Sequence, residues 1–195
     1  MTTFVLATAN AHKAEELRAV LGELDVQLLA RPSGVADVDE TEDTLEGNAL
    51  LKARTLVNAT GLAALADDTG LFVDALGGRP GVHSARYAGE TATDEDNVAK
   101  LLGELNGESS DKRTARFRTV IAVAYPGGDS FCVEGVLEGV IAESARGDGG
   151  FGYDPVFIPR DSDGQTLAEL SSAQKNAISH RGNALRSLAA ALSAK

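Results

Sequence analysis

Tryptophan is absent from the 195 residues, cysteine occurs once, and histidine occurs three times. A single cysteine, Cys132, excludes an intrachain disulfide and a thiolate metal cluster. His12 and His83 have no partners at metal-ligand spacing, which argues against zinc. Positive charge is scarce: 18 Lys and Arg stand against 29 Asp and Glu, for a formal net charge of −11. That balance argues against a nucleic-acid partner held by phosphate neutralisation. No stretch of apolar residues is long enough to span a bilayer, so no membrane partner is expected. The opening MTTFVLATANAHK lacks the basic and apolar regions of a secretory signal, and a cytoplasmic location is expected. No Gly-x-Ser-x-Gly elbow occurs and Cys132 lies in an apolar alternation, so a covalent nucleophile has no candidate.

Against these absences, hydrophobic residues make up 43% and charged residues 24%, the balance of an ordinary folded chain. The length suits one domain, or two small lobes around one core. Phe4–Ala7 reads as a buried strand leading at Asn10, a possible N-cap, into a helix ending near Leu21. Val26–Ala30 reads as a second strand. Asp43 and Glu46 open a helix that runs to about Asn58 and closes at Gly61, with Leu45, Ala49, Ala53, Leu56 and Val57 as its core stripe. Leu62–Ala66 predicts a strand that ends at Asp67-Asp68-Thr69-Gly70, and Leu71–Leu76 a further strand. Thr93 starts a helix with Val98, Leu101, Leu102 and Leu105 on its buried face. Period-two patterning on both sides of Pro126-Gly127-Gly128-Asp129 predicts a long hairpin. A glycine-rich loop at 147–155 and two helices, about 172–178 and 180–194, close the chain. Strands and helices interleave with an antiparallel pair, so the fold class is mixed α/β.

Four groups of residues could carry chemistry. Thr8-x-Asn10-x-x-Lys13 lies where a strand hands over to a helix, where backbone N–H groups, the positive end of the dipole and Lys13 could cradle a triphosphate. A simple N-cap beside a solvated lysine is the plainer alternative, and the Walker glycines are missing. Asp67-Asp68 places two carboxylates side by side, which repel unless a cation or proton compensates them. Hard oxygens of this kind suit Mg²⁺, with Glu40 as a second ligand. An Asx turn at the strand end would explain the same pair. Phe151-Gly152-Tyr153-Asp154 interleaves rings that can stack on a base with glycines that allow close approach, or is an Ω-loop anchored by its rings. Lys175, His180 and Arg181 suggest a local pocket for an anion or carbonyl near the last helix, or else a solvated helix start.

Six motifs stand in order along the chain: Thr8-x-Asn10-x-x-Lys13, Glu46-Gly47-Asn48-Ala49-x-x-Lys52-Ala53, Ala66-Asp67-Asp68-Thr69-Gly70-Leu71, Gly81-x-x-Ser84-Ala85-Arg86-Tyr87, Gly150-Phe151-Gly152-Tyr153-Asp154-Pro155-x-Phe157 and Ser179-His180-Arg181-Gly182. Together they strongly resemble the inosine triphosphate pyrophosphatase, or Ham1, family over nearly the whole chain. The resemblance implies a single domain over 1–195, with a mixed central sheet, flanking helices and two lobes around a deep active-site cleft. It also implies a Mg²⁺-dependent homodimer that cuts ITP, XTP and their deoxy forms to the monophosphate and pyrophosphate. Carried over by position, Asp68 would be the catalytic carboxylate, and Asp68 and Glu40 the metal ligands. Thr8, Ala9, Asn10, Ala11, His12, Lys13, Lys52, Thr69, Phe151, Gly152, Tyr153, Asp154, Lys175, His180 and Arg181 would bind substrate. Ala9 stands where the family often has Gly, and Thr69 where Ser is common. A pyrophosphatase of the Maf-like group and a nucleotide sensor without turnover are the competing readings. Ser179-His180-Arg181 and the Phe151–Asp154 stretch speak against the first, and Asp67-Asp68 against the second.

Overall fold

The computed structural model describes residues 2–7, 17, 21, 26–36 and 38–194. Among these, strand β1 (Thr2–Leu6) pairs in parallel with β2 (Val26–Leu29) and with β3 (Ala63–Val73). The sheet order is β2-β1-β3-β5-β6-β7, where β5 is Thr114–Ala124, β6 is Ser130–Ile141 and β7 is Phe157–Pro159. A two-residue strand, β4 (Pro80–Gly81), lies antiparallel on β3. Four helices accompany the sheet among the described residues: α1 (Leu45–Thr60), α2 (Asp94–Glu104), α3 (Ser172–Ile178) and α4 (His180–Ser193). The mixed α/β class and the central mixed sheet are as the sequence implies. No described helix is long and apolar enough to cross a membrane.

The chain divides into two compact units, Met1–Asp68 with Thr119–Gly135 and Arg181–Lys195, and Thr69–Arg118 with Val136–His180. In the first unit the strand period of two assigns each residue to a face. Val5 and Ala64 pack with Leu56 of α1, whereas Phe4, Leu6, Ala63 and Leu65 pack with Ala184, Leu185 and Leu188 of α4. In this unit Ala64 of β3 therefore faces α1, and Ala63 and Leu65 face α4. In the second unit Leu101 and Leu105 from the α2 region, Phe117, Tyr153, Val156 and Phe157 form the core, with the Phe117 and Phe157 rings 4.7 Å apart.

Three local differences from the sequence reading have physical causes. The N-cap of α1 is Thr44, whose hydroxyl accepts the Gly47 N–H, and not Asp43. Gly61 closes that helix in the left-handed conformation, as expected. The strand does not end at Asp67-Asp68: β3 runs unbroken from Ala63 to Val73, and Asp74–Leu76 is a 3₁₀ turn. Gly70 serves close strand approach and not a turn, since a Cβ there would stand 2.4 Å from the Gly81 carbonyl oxygen. The predicted start of the first helix, at Asn10, lies outside the described residues; Leu17 and Leu21 are helical and buried.

Arg113 was not singled out by sequence, yet it ties the second unit together. It is 4% exposed and donates from Nε to the Ile141 carbonyl, from Nη1 to Leu105 and from Nη2 to Ala142. Removing a buried donor strands its acceptors at about 1–3 kcal/mol each. Arg113→Met should therefore lower stability by about 3 kcal/mol or more, read as a fall in urea midpoint at unchanged slope. An unmoved midpoint would show that water takes over all three carbonyls.

Candidate active site

Asp68 sits on the α1 face of β3, and its neighbours come from one side of that helix. Asn48 and Lys52 are four residues apart, so helical geometry sets them one above the other. Lys52 Nζ lies 2.9 Å from Asp68 Oδ1 and 3.0 Å from Glu40 Oε1. Asn48 Nδ2 donates to Asp68 Oδ2 at 3.3 Å, and Asn48 Oδ1 accepts the Glu42 N–H. Asn48 is thus locked by the backbone at one end and orients the carboxylate at the other. Both Asp68 oxygens accept from α1 side chains, and β3 runs on through this position as extended strand.

Burial pushes the Asp68 carboxyl up to about 6, with Glu40 adding to the rise and Lys52 and Asn48 opposing it. For Lys52, burial acts to lower the ammonium pKa, but the charges of Asp68 and Glu40 outweigh it and the net shift is upward. A carboxylate in this range is ionised at neutral pH yet basic enough to take a proton. Beside the group opens a cavity of about 220 Å³, lined in part by Ala7, Arg31, Val38, Glu40 and Lys52.

Glu40 and Asp68 supply the hard carboxylate oxygens here that could hold a divalent metal ion. No group of three or more His, Cys, Asp or Glu suited to a metal occurs among the described residues. Mg²⁺ needs only one or two carboxylates, since it keeps several waters and takes substrate phosphates. A cationic ammonium already lies within 3.0 Å of one oxygen from each of Glu40 and Asp68.

In the second unit, Phe151 is 62% exposed while Tyr153 is buried, so the two rings of the glycine loop have separate fates. Tyr153 anchors the loop, its hydroxyl donating to the Ser84 carbonyl at 2.9 Å. Burial raises its pKa well above the usual tyrosine value. Asp154 accepts the Phe151 N–H and pairs with Lys175, whose Nζ stands 4.6 Å over the Phe151 ring. Gly150 is required here: its φ is 77°, and a Cβ would fall within 2.1 Å of Asp154 Oδ2. Gly152 donates its N–H to Asp94.

Lys175 goes to Asp154, the His180 ring stacks on Phe117 at 4.8 Å, and Arg181 Nε faces Asp67 at 3.9 Å. Thr69 is half-buried on β3 after Asp68. Thr8, Ala9, Asn10, Ala11, His12 and Lys13 lie outside the described residues. The sequence motif around Asn48 assigns it no role, and its spacing of four from Lys52 is the signal that places it here. Asn48→Leu keeps the size and removes the amide, so kcat should fall by about tenfold or more through loss of carboxylate orientation. A variant with normal kcat and a normal melting curve would remove Asn48 from the site.

The profile of the Ham1 family matches residues 4–191. The chain belongs to the Ham1 family. Among curated relatives, a protein of Bacillus subtilis named dITP/XTP pyrophosphatase is 47% identical over 196 residues, covering 100% of this chain and 98% of the relative. One of the same name from Geobacter sulfurreducens is 52% identical over 187 residues, covering 95% and 94% of the two chains. Among solved structures, a HAM1 protein from Coxiella burnetii superposes with a TM-score of 0.94 at 42% identity, covering all of both chains. The Ham1 protein of Staphylococcus aureus gives 0.91 at 38% identity, covering 99% of each.

Proposed function

We propose that this Ham1 protein is one catalytic domain that hydrolyses ITP, XTP and their deoxy forms to the monophosphate and pyrophosphate, clearing them from the nucleotide pool. The observation that carries the reading is the Asp68 group: a buried carboxylate raised toward neutrality, held by Asn48 and Lys52, with a second carboxylate on the same lysine. The names of the relatives support the same activity.

Water attacks the α-phosphorus, the bond from that phosphorus to the bridging oxygen breaks, and pyrophosphate leaves. Asp68 accepts the proton of the attacking water. Glu40 and Asp68 would hold Mg²⁺, which when bound supplies charge neutralisation at the phosphoryl oxygens. Lys52 and Lys13 are assigned to charge developing on the leaving group, and Thr8, Ala9, Asn10, Ala11 and His12 to the phosphates. Thr69 is assigned to substrate near the reacting phosphate. Phe151 is assigned to stacking on the base, with Gly152, Tyr153, Asp154 and Lys175 shaping its surroundings. Arg181 and His180 are assigned to the base edge: ITP and XTP carry an acceptor oxygen at position 6, which a donor-only guanidinium suits. Phosphoryl transfer demands mainly positioning and charge, so the lack of a covalent nucleophile is no obstacle.

The deciding assay incubates purified protein with ITP and Mg²⁺ and resolves the products. IMP and pyrophosphate are expected. IDP and inorganic phosphate would overturn the bond assignment, and binding without turnover would favour a sensor. The substrate is a small molecule, and a homodimer is proposed from the family resemblance; a monomer mass by light scattering would refute the dimer.

A further inference from the structure

The two adjacent carboxylates of β3 face different helices. Strand alternation sends Asp68 toward Asn48 and Lys52 of α1, and sends Asp67 toward α4. There Asp67 Oδ2 lies 3.9 Å from Arg181 Nε, and each side chain is only 10% exposed. At that separation the contact is one of charge, beyond hydrogen-bond reach. Leu17, Leu65, Ile121 and Leu185 wall the same place with apolar surface.

Arg181 needs such a counter-charge for two reasons. It is the second residue of α4, where the helix dipole presents its positive end to a cation. It is also only 10% exposed beside Leu17, Leu65, Ile121 and Leu185, where an opposite charge acts more strongly than in water. The guanidinium is also a rigid planar fork, so a charge against its Nε edge sets the direction of the plane as well as neutralising it. A reader of a carbonyl oxygen has to be aimed, because a hydrogen bond weakens steeply with misalignment.

We propose that Asp67 is a positioning residue for base specificity: it holds the Arg181 guanidinium in the orientation that reads the 6-oxygen of the purine. The inference rests on Arg181 being the base reader, as assigned above. On this account β3 carries two separate duties at consecutive positions, proton acceptance at Asp68 and aiming of the base reader at Asp67, one on each face. Mutual repulsion between the two carboxylates is relieved because each meets its own cation, Lys52 or Arg181.

The test measures kcat and KM on dITP and dATP for the wild type, Asp67→Asn, Asp67→Glu, Arg181→Ala and the double variant Asp67→Asn with Arg181→Ala. Asp67→Asn should raise KM for dITP by about tenfold and narrow the dITP/dATP ratio by a similar factor, with kcat within about threefold of wild type. Asp67→Glu keeps the charge and should retain most of the selectivity. On the Arg181→Ala background, Asp67→Asn should change the ratio by less than about twofold, since the residue it aims is gone. If Asp67→Asn does not fold, the smaller neutral Asp67→Ser makes the same comparison. An unchanged ratio in the neutral variant overturns the proposal. So does a collapse of kcat at unchanged KM, which would put Asp67 in the chemistry, or an undiminished effect without Arg181. A wild type with no preference for dITP over dATP would instead overturn the base reading itself. A wild type with that preference, altered by Arg181→Ala but untouched by Asp67→Asn, would defeat the role of Asp67 alone.

Discussion

Asp68→Asn is expected to lower kcat on ITP by ~10²–10⁴-fold, the range a positioned general base supplies, at saturating Mg²⁺ and without loss of fold. Asparagine keeps the size of the side chain and can still meet Lys52 and Asn48, but it offers no charge to a cation and no basic oxygen to a proton. The fold is expected to survive because burial is the largest influence on this carboxyl and works against its charge. A carboxyl whose folded pKa stands near 6, above its ordinary value, makes the folded state relatively less stable as pH rises through about 4 to 6. The neutral amide escapes that change, so its melting midpoint at pH 7.5 should be no lower than wild type once the weakened contact with Lys52 is set against it. Product formation by steady-state assay and a thermal melt decide the matter together. Near-normal turnover in a folded variant would take the catalytic role from Asp68.

Much of this site was legible in the sequence because its residues sit at spacings that secondary structure converts into contacts. Asn48 and Lys52 share a helix face by their separation of four, and Asp68 continues the apolar run 62–66 that the hydrophobic pattern reveals as strand. The glycine loop was legible for a similar reason: Gly150 and Gly152 both take positive φ, which glycine adopts without strain.

What was not legible depended on partners far away in sequence. The pattern Asp-Asp-Thr-Gly reads locally as a turn, since Asx residues and glycine favour turns. The strand nevertheless persists to Val73, and the Asp68 oxygens are met instead by Lys52 and Asn48, 16 and 20 residues earlier. Gly70 is small for the sake of Gly81 on the neighbouring strand, which no local rule discloses. Tyr153 and Phe151 look alike in the motif, and only the Ser84 carbonyl, 69 residues away, separates the anchor from the exposed ring. Arg113 is the extreme case. A lone arginine before a strand reads as surface charge, and three carbonyls, one at Leu105 and two at the end of β6 in Ile141 and Ala142, make it a buried strut.

Arg181→Ala is expected to collapse base selectivity while sparing the metal requirement. Inosine and xanthine present an oxygen at position 6, and adenine presents an amino group there. A guanidinium has donors only, so it gains a charge-assisted hydrogen bond with the first pair and meets a second donor with adenine. Sites built around such a bond can reject the mismatched analogue by roughly 10⁴-fold, because buried polar groups are then left unpaired. Guanine keeps the 6-oxygen, so its exclusion has to come from the 2-amino group, and the expected order is ITP and XTP well above GTP, with GTP at or above ATP. A hydrogen bond to a charged group contributes about 1.5–3 kcal/mol. Its removal should therefore shrink the ITP/ATP ratio of kcat/KM by roughly 10- to 100-fold. The loss should fall on ITP, since ATP gains nothing from the arginine in the wild type. The Mg²⁺ concentration giving half-maximal rate should stay where it was, because Arg181 faces Asp67 while Glu40 and Asp68 meet at Lys52. Wild-type protein that turns over ATP as efficiently as ITP would defeat the argument before any variant is made. A variant whose ratio matches wild type would move the reading of the 6-oxygen from Arg181 to another donor, with His180 the first to substitute.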